Sequence, residues 1–307
     1  MTYQDVESAR QDYFAKVKKQ TLITTIAILG LLIIAIIFSG ATIQEATLVL
    51  IACMLFTFIT VLPIVSLLNC KLRANYHKAY KEYFIERNLR AVFSNLEYSH
   101  ELGLPSSFLY NTGMINTGDR YFSNDYVRAR FKNVAFCQAD VRIEVEDTDS
   151  DGDTHYYTIF KGRFMVFEFP KEFNFKLALV GKKFAAFKKS GRDKKTGRKL
   201  EKFATESPTF NKLIKAYAED GFEAFYLLDP KIIATIEDIT TRYDGRVALF
   251  FCNNQLIIGL NNGKDSFEPP RPFRPIDEAK EDAKVASEIK IITDFVDSLS
   301  LNRNIFK

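Results

Sequence analysis

The chain has 307 residues, 47% of them hydrophobic, and the part that follows residue 69 is long enough for one large or two small domains with hydrophobic cores. It contains four cysteines and no CxxC pair, so nothing suggests a disulfide framework, which suits a reducing cytosol. The formal net charge is only +4, and it is unevenly spread, because the segment Gly181–Lys202 alone holds ten Lys or Arg.

Two runs without a charged residue or histidine dominate the first part of the chain, Thr21–Ser39 and Ala46–Leu68. As helices they extend about 28 and 34 Å, against a bilayer hydrocarbon core of about 30 Å. They predict a transmembrane hairpin over residues 21–69. A signal peptide with a cleavage site at Ser39-Gly-Ala41 is one alternative, which the length of the run and the second run disfavour. Buried helices of a globular core are the other, which the apolar surface on every side disfavours.

Basic residues close to these runs predict the orientation. The connecting segment, residues 40–45, has none, whereas the outer flanks hold Arg10, Lys16, Lys18, Lys19, Lys71, Arg73, Lys78 and Lys81. Because cytoplasmic flanks are rich in Lys and Arg, both termini are predicted to be cytoplasmic. No ionisable group lies within the runs, so they are predicted to anchor the protein rather than to form a transport path.

After the runs, the apolar period changes from helical to alternating. A helical stalk is predicted at residues 70–97, with residues 1–20 as a cytosolic N-terminal segment. Residues 98–275 are predicted to form a cytosolic domain, followed by a C-terminal helix within residues 276–307. The predicted strands of the cytosolic domain are Tyr126–Phe131, Val134–Glu146, Tyr156–Phe169, Phe175–Val180 and Glu223–Leu228, with a hairpin of Arg246–Cys252 and Gln255–Leu260. Helices are predicted from Ser207 to Tyr217, from Pro230 to about Tyr243 and over Asp277–Leu299. The predicted fold is therefore α+β, with an antiparallel sheet and flanking helices on a two-helix anchor.

Three segments that follow the apolar runs carry a family resemblance. They are Tyr157–Phe169, Lys215–Pro230 and Phe267-Glu-Pro269, in that order. With the two runs, they resemble the bacterial membrane-protein family called domain of unknown function three-one-three-seven, over most of the chain up to the proline-rich strap at residues 268–275. The resemblance implies a bacterial protein of the plasma (inner) membrane, with a LemA-type membrane protein as a partner. It implies no catalytic residues.

The segment Asp147–His155 is a candidate metal site. It places a carboxylate at every second position, at Asp147, Asp149, Asp151 and Asp153. This spacing, followed by Gly152, matches the opening of an EF-hand loop, and calcium prefers such oxygen ligands. However, the twelfth position is Thr158 instead of a bidentate Glu, and the flanks are predicted strands. A solvated hairpin turn is the favoured interpretation, with weak calcium binding as the alternative.

The basic segment is a candidate lipid-binding site, because Lys and Arg near a bilayer are attracted to anionic headgroups. Its candidate residues are Lys182, Lys183, Lys188, Lys189, Arg192, Lys194, Lys195, Arg198 and Lys199. The spacing around Gly191 and Gly197 does not fit a phosphate-binding loop. A solvated flexible loop is an open alternative, nucleic acid is a less favoured partner, and Phe184 and Phe187 are either inserting or core residues.

The remaining motifs favour a function without catalysis. The segment that begins at His100 lacks the second histidine of a zinc protease, and neither a GxSxG motif nor a Cys/His ligand pair is present. The sequence predicts no cofactor. We therefore expect a membrane-anchored scaffold or sensor that presents a protein- or lipid-binding domain. The alternative is a membrane-bound enzyme whose dispersed site residues are not recognisable in the sequence.

Overall fold

The computed structural model describes residues 1–39, 51, 64–65, 67–150, 152–189, 197–299 and 301. Two compact units divide the chain, one formed by Met1–Ile85 and Glu268–Asp282, the other by Glu86–Phe267 and Ala283–Lys307. The helices and strands, in chain order, are α1 (Tyr3–Ser39), α2 (Cys70–Tyr80), a π-helical turn (Lys81–Glu86), α3 (Arg87–Val92), β1 (Ser94–Ser99), α4 (Ser106–Tyr110), β2 (Arg120–Phe131), β3 (Val134–Thr148), β4 (Thr154–Gly181), β5 (Glu201–Phe203), α5 (Pro208–Leu213), β6 (Ile214–Ala218), α6 (Gly221–Leu227), α7 (Pro230–Arg242), β7 (Val247–Leu260) and α8 (Glu278–Ser298).

The first unit is organised around the proline-rich strap at residues 268–275. Proline has no backbone N–H, so the strap is held through its carbonyl oxygens. Tyr76 Oη donates to Pro270 O at 2.9 Å, and Arg10 Nη1 donates to Pro272 O at 2.5 Å. Lys81 Nζ lies 3.0 Å from a carboxylate oxygen of Glu268. These contacts fasten the strap to α1 and α2.

The structure contradicts the predicted transmembrane hairpin over residues 21–69. Within the described residues, no helix combines the length and the sustained apolar character that a membrane crossing requires. Helix α1 is long, but its first half is charged. The second run, Ala46–Leu68, lies almost wholly outside the described residues. This finding also corrects the predicted multi-pass inner-membrane localisation with cytoplasmic termini, which depended on the hairpin.

The second unit contains the predicted antiparallel sheet. Within the described residues, seven strands pair in the order β1-β2-β3-β4-β6-β5, and β7 also pairs with β4. Asn261 N donates to Arg246 O at 2.8 Å, so the two ends of β7 lie together and the chain reverses near Asn253, which has a φ of 53°. The α+β organisation and the reversal of the predicted last hairpin are therefore confirmed.

The main core lies on one face of this sheet, because alternate residues of its strands point there. Phe160 and Phe164 of β4 stack with ring centroids 4.3 Å apart, and Phe184 packs edge-on against Phe160. All three rings are buried, together with Val141 and Phe250. The predicted strands Tyr126–Phe131 and Val134–Glu146 lie within β2 and β3. The predicted strands Tyr156–Phe169 and Phe175–Val180 are both part of one long strand, β4.

Two predictions of local structure are wrong around residue 220. The stretch predicted as one helix from Ser207 ends at Leu213, because Ile214–Ala218 pairs with β4 as strand β6. The predicted strand Glu223–Leu228 is instead helix α6, since the Asp220 side chain caps it by accepting from Phe222 N at 3.0 Å. The predicted N-cap of α5, Ser207, is confirmed, and its Oγ accepts from Phe210 N at 3.2 Å.

Candidate functional site

The first arm of the basic segment, residues 181–189, has a backbone fixed to the second unit. Lys183 N donates to Gly245 O at 2.9 Å and Lys188 N to Met114 O at 3.0 Å, while Ala186 O accepts from Asn116 N at 2.9 Å. Phe187 forms a bridge with Ile115. This part of the predicted loop is therefore a rigid frame.

Side chains on this frame alternate between core and solvent. Phe184 is buried, and Phe187 stacks on Tyr217 with centroids 4.9 Å apart. Both aromatic residues are thus part of the core. The lysines on either side of this aromatic pair are exposed, so the frame displays charge and buries its aromatic rings.

Six of the nine predicted lipid-binding residues are described, and all six are exposed: Lys182, Lys183, Lys188, Lys189, Arg198 and Lys199. We call these six residues the basic face. The other three, Arg192, Lys194 and Lys195, lie outside the described residues. Within the described part of the chain, acidic partners are found for two of the six. Lys183 Nζ lies 2.7 Å from Asp244 Oδ1, and an Arg198 nitrogen lies 3.9 Å from Asp220 Oδ2.

Tyr217 contacts both described parts of the basic segment, residues 181–189 (the first arm) and residues 197–202 (the second arm). Lys189 Nζ lies 5.7 Å from the centre of the Tyr217 ring, a cation–π geometry. On the other arm, Lys202 is paired with Tyr217 in the β5–β6 ladder. Residues that are 13 positions apart in sequence are therefore held against one strand, and their charges share one region of surface.

The acidic segment forms a tight turn between β3 and β4. Asp149 N donates to Asp153 O at 3.0 Å, and Asp153 N donates to the Asp149 carboxylate at 2.9 Å. Gly152 has a φ of +86°, which favours glycine. Asp147, Asp149 and Asp153 are exposed, and Asp151 lies outside the described residues. The geometry is that of a solvated hairpin turn, and calcium binding stays a prediction.

A buried ion pair in the sheet was not recognised in the sequence. Arg163 of β4 is 1% exposed and Asp140 of β3 is 4% exposed, and they are register partners in the ladder. Arg163 Nε lies 3.5 Å from Asp140 Oδ1, and its Nη1 donates to Glu288 O of α8 at 3.0 Å. Ser266 N donates to Asp140 Oδ2 at 2.5 Å. The pair thus ties two strands, a loop and a helix together.

A pocket of about 240 Å³ opens above Asp140 and is also lined by Arg142, Lys161, Lys264 and Asp265. Burial raises the pKa of Asp140 to about 7, and the negative charges of Asp125 and Asp265 act in the same direction. Arg163 and the Ser266 N–H lower it. The only sequence signal for this site was a charged residue on the predicted apolar strand Val134–Glu146.

The raised pKa of Asp140 makes stability depend on pH. An unfolded Asp titrates near pH 3.9, so between about pH 4 and pH 7 the folded state binds more protons than the unfolded state. The contribution of Asp140 to the free energy of unfolding is therefore fully present below about pH 4 and falls as pH rises to about 7. Urea unfolding at about pH 5 and about pH 8 measures this fall, which we expect to be smaller in Asp140→Asn than in the wild type.

The matched control is Asp238→Asn, at an exposed carboxylate that lies 2.5 Å from Arg242. It should reproduce the pH dependence of the wild type. An Asp140→Asn variant with the same dependence as the wild type would show that Asp140 does not titrate in this range.

One family model matches part of the chain. The model of the family described as "Protein of unknown function (DUF3137)" matches residues 158–301. No curated protein matches the chain. Among solved structures, the mycobacterial trehalose monomycolate transport factor A, TtfA, is similar at 10% sequence identity and a TM-score of 0.35, over 73% of this chain and 95% of that chain. A TM-score this low supports no inference. Over residues 158–301, the chain is therefore similar to a domain of unknown function.

Proposed function

We propose that this protein is a non-catalytic scaffold or sensor module whose basic face binds anionic lipid headgroups. The observation that supports the proposal most is the exposure of all six residues of the basic face next to a buried aromatic frame. Four of them, Lys182, Lys188, Lys189 and Lys199, have no ion pair within the described part of the chain. Their charges are available to a partner, and each basic residue close to an anionic bilayer contributes about 1 kcal/mol.

A catalytic function is less well supported by the ionisable groups of the second unit. Both carboxylate oxygens of Asp140 already face partners, Arg163 and Ser266 N. Burial raises the pKa of the Cys137 thiol to about 11, so it is protonated near neutral pH and a poor nucleophile. These groups act as structural elements, which favours a binding function.

Neutralising the basic face should weaken binding to anionic vesicles. We expect the full-length variant with all six residues changed to Gln to bind vesicles of phosphatidylglycerol and phosphatidylcholine at least about tenfold more weakly than the wild type. Co-sedimentation measures the binding. The difference should shrink at high salt, since the interaction is electrostatic and screened.

A second variant separates the position of charge from its amount. It neutralises six other exposed lysines of the chain, Lys132, Lys212, Lys231, Lys264, Lys280 and Lys290. We expect this control to keep most of the binding. Equal loss in the two variants would mean that net charge, not the basic face, determines binding. Equal binding by the wild type and the basic-face variant would exclude the proposal, and a protein partner such as the LemA-type protein would then be the better candidate.

A further inference from the structure

A groove of about 680 Å³ crosses the face of the sheet in the second unit. Its floor includes the small residues Ala135 and Cys137 of β3, and its wall is formed by Leu102, Leu104 and Phe108 of the loop and helix before β2. Leu102 is 63% exposed and adds apolar surface to this wall. The volume is in the range of small-molecule sites, about 300 to 1,000 Å³. This groove shares no residue with the basic face.

Four charged side chains also line the groove, two of each sign. Glu97 of β1 is the register partner of Arg128 of β2. Two residues further along β2 is Arg130. Arg130 and Glu168 lie on either side of Ala135, and each of them is paired with it. Two strand spacings separate Arg130 from Glu168, about 10 Å between backbones. All four charges are exposed, and within the described residues none of them forms an ion pair.

The polar groups of the groove floor are neutral. Tyr126 and Cys137 are hydrogen-bonded to each other, and burial raises their pKa values to about 12 and about 11. Neither group is ionised near neutral pH, so the fixed charges of the groove are the two Arg and the two Glu.

The groove offers little to an extended peptide. Arg128 is paired with Cys137, and Ala135 is paired with both Arg130 and Glu168, so the backbone groups under the groove are used within the sheet. Peptides that add a strand need free backbone donors and acceptors. An apolar chain needs none, and it would lie against the wall of Leu102, Leu104 and Phe108.

We propose that this groove binds a single-chain amphiphile with a zwitterionic headgroup, whose anionic group contacts Arg130 and whose ammonium group contacts Glu168. The small side chain of Ala135 leaves space for the headgroup between the two charges. The apolar chain then covers the exposed Leu102. This proposal goes beyond binding of an anionic lipid surface and does not depend on it.

The test uses the full-length protein and five probes below their micelle concentrations, measured by isothermal titration calorimetry. They are lauroyl lysophosphatidylethanolamine, dodecyl phosphate, dodecylammonium, the neutral dodecyl maltoside and, as a peptide, trialanine. We expect the zwitterion to bind tightest. Ala135→Leu should weaken it about tenfold by filling the headgroup space, which corresponds to about 1.4 kcal/mol. Ala91→Leu, at an exposed alanine of α3, is the matched control and should bind as the wild type does.

Two charge variants give the result that a general structural defect would not. Arg130→Gln should weaken dodecyl phosphate several-fold and leave dodecylammonium unchanged, whereas Glu168→Gln should do the reverse. The proposal is overturned if dodecyl maltoside binds as tightly as the zwitterion, if Ala135→Leu binds like Ala91→Leu, or if both charge variants weaken all probes alike. Tighter binding of trialanine than of the zwitterion would assign the groove to peptides instead. Vesicle binding by the basic face can fail without changing any of these results.

Discussion

Replacing Arg163 by methionine is expected to lower the free energy of unfolding by about 3 to 5 kcal/mol at alkaline pH, where the Asp140 carboxyl of the wild type is ionised. The change leaves Asp140 buried at 4% exposure without its cationic partner. It also removes the hydrogen bond from Arg163 Nη1 to Glu288 O and the contact of the guanidinium with the Phe267 ring, 4.7 Å from its centroid. Urea unfolding measures the loss. It should decrease at low pH because protonation neutralises the Asp140 carboxylate, which has lost its cationic partner.

Two controls identify the cause of that loss. The double variant Arg163→Met, Asp140→Leu removes both charges and should recover a large part of the stability, because a buried pair is often replaceable by apolar residues. Arg242→Met breaks the exposed pair with Asp238 and should cost less than about 1 kcal/mol. If Arg163→Met and Arg242→Met cost the same, the buried pair does not have the structural role assigned to it.

Replacing Gly162 by alanine is expected to cost more than about 3 kcal/mol, or to prevent the accumulation of folded protein. A Cβ at this position would lie 2.0 Å from Leu260 O and 3.2 Å from Asn262 N. Both are backbone atoms, so no side-chain rotation relieves the overlap. Strand β7 must move away from β4 next to the register pair Arg163 and Leu260. Thermal and urea unfolding of the purified variant measure the effect.

The matched control is Gly221→Ala at the start of α6, where a Cβ has no neighbour within 4 Å. Alanine is the better helix former, so this variant should be neutral or more stable by up to about 1 kcal/mol. Equal stability of the two variants would mean that β4 and β7 do not approach each other as closely as the structure shows.

Local patterns in the sequence predicted most elements of the second unit. Alternation of apolar residues located β2, β3 and β4, and the hydroxyl of Ser207 and the proline at 230 located the starts of α5 and α7. Helix α6 was missed because its cap, Asp220, follows a glutamate and precedes a glycine in a stretch that is too short for a clear period. Strand β6 was predicted as part of a helix, because its local pattern is helical and only its pairing with β4 makes it a strand.

The candidate sites divide in the same way. The basic face was found because charge density along the chain is visible in the sequence, but its rigid frame depends on hydrogen bonds to Met114 and Gly245. The groove combines side chains from β1, β2, β3 and β4, and its opposed charges are neighbours only in the folded sheet. The Asp140 carboxylate accepts a hydrogen bond from Ser266 N, which is 126 residues away in sequence. Sequence periodicity contains no information about such partners.

The sequence by itself determined the antiparallel α+β character of the second unit, the helix starts and the concentration of Lys and Arg between residues 182 and 199. These depend on side-chain period, capping and composition, which act over a few residues. Only the tertiary structure decided that Arg163 and Asp140 are buried together, that Phe184 and Phe187 belong to the core, and that no described helix has the properties of a membrane span. Burial and the pairing of charges are set by contacts between distant segments, so they follow from the fold and not from local pattern.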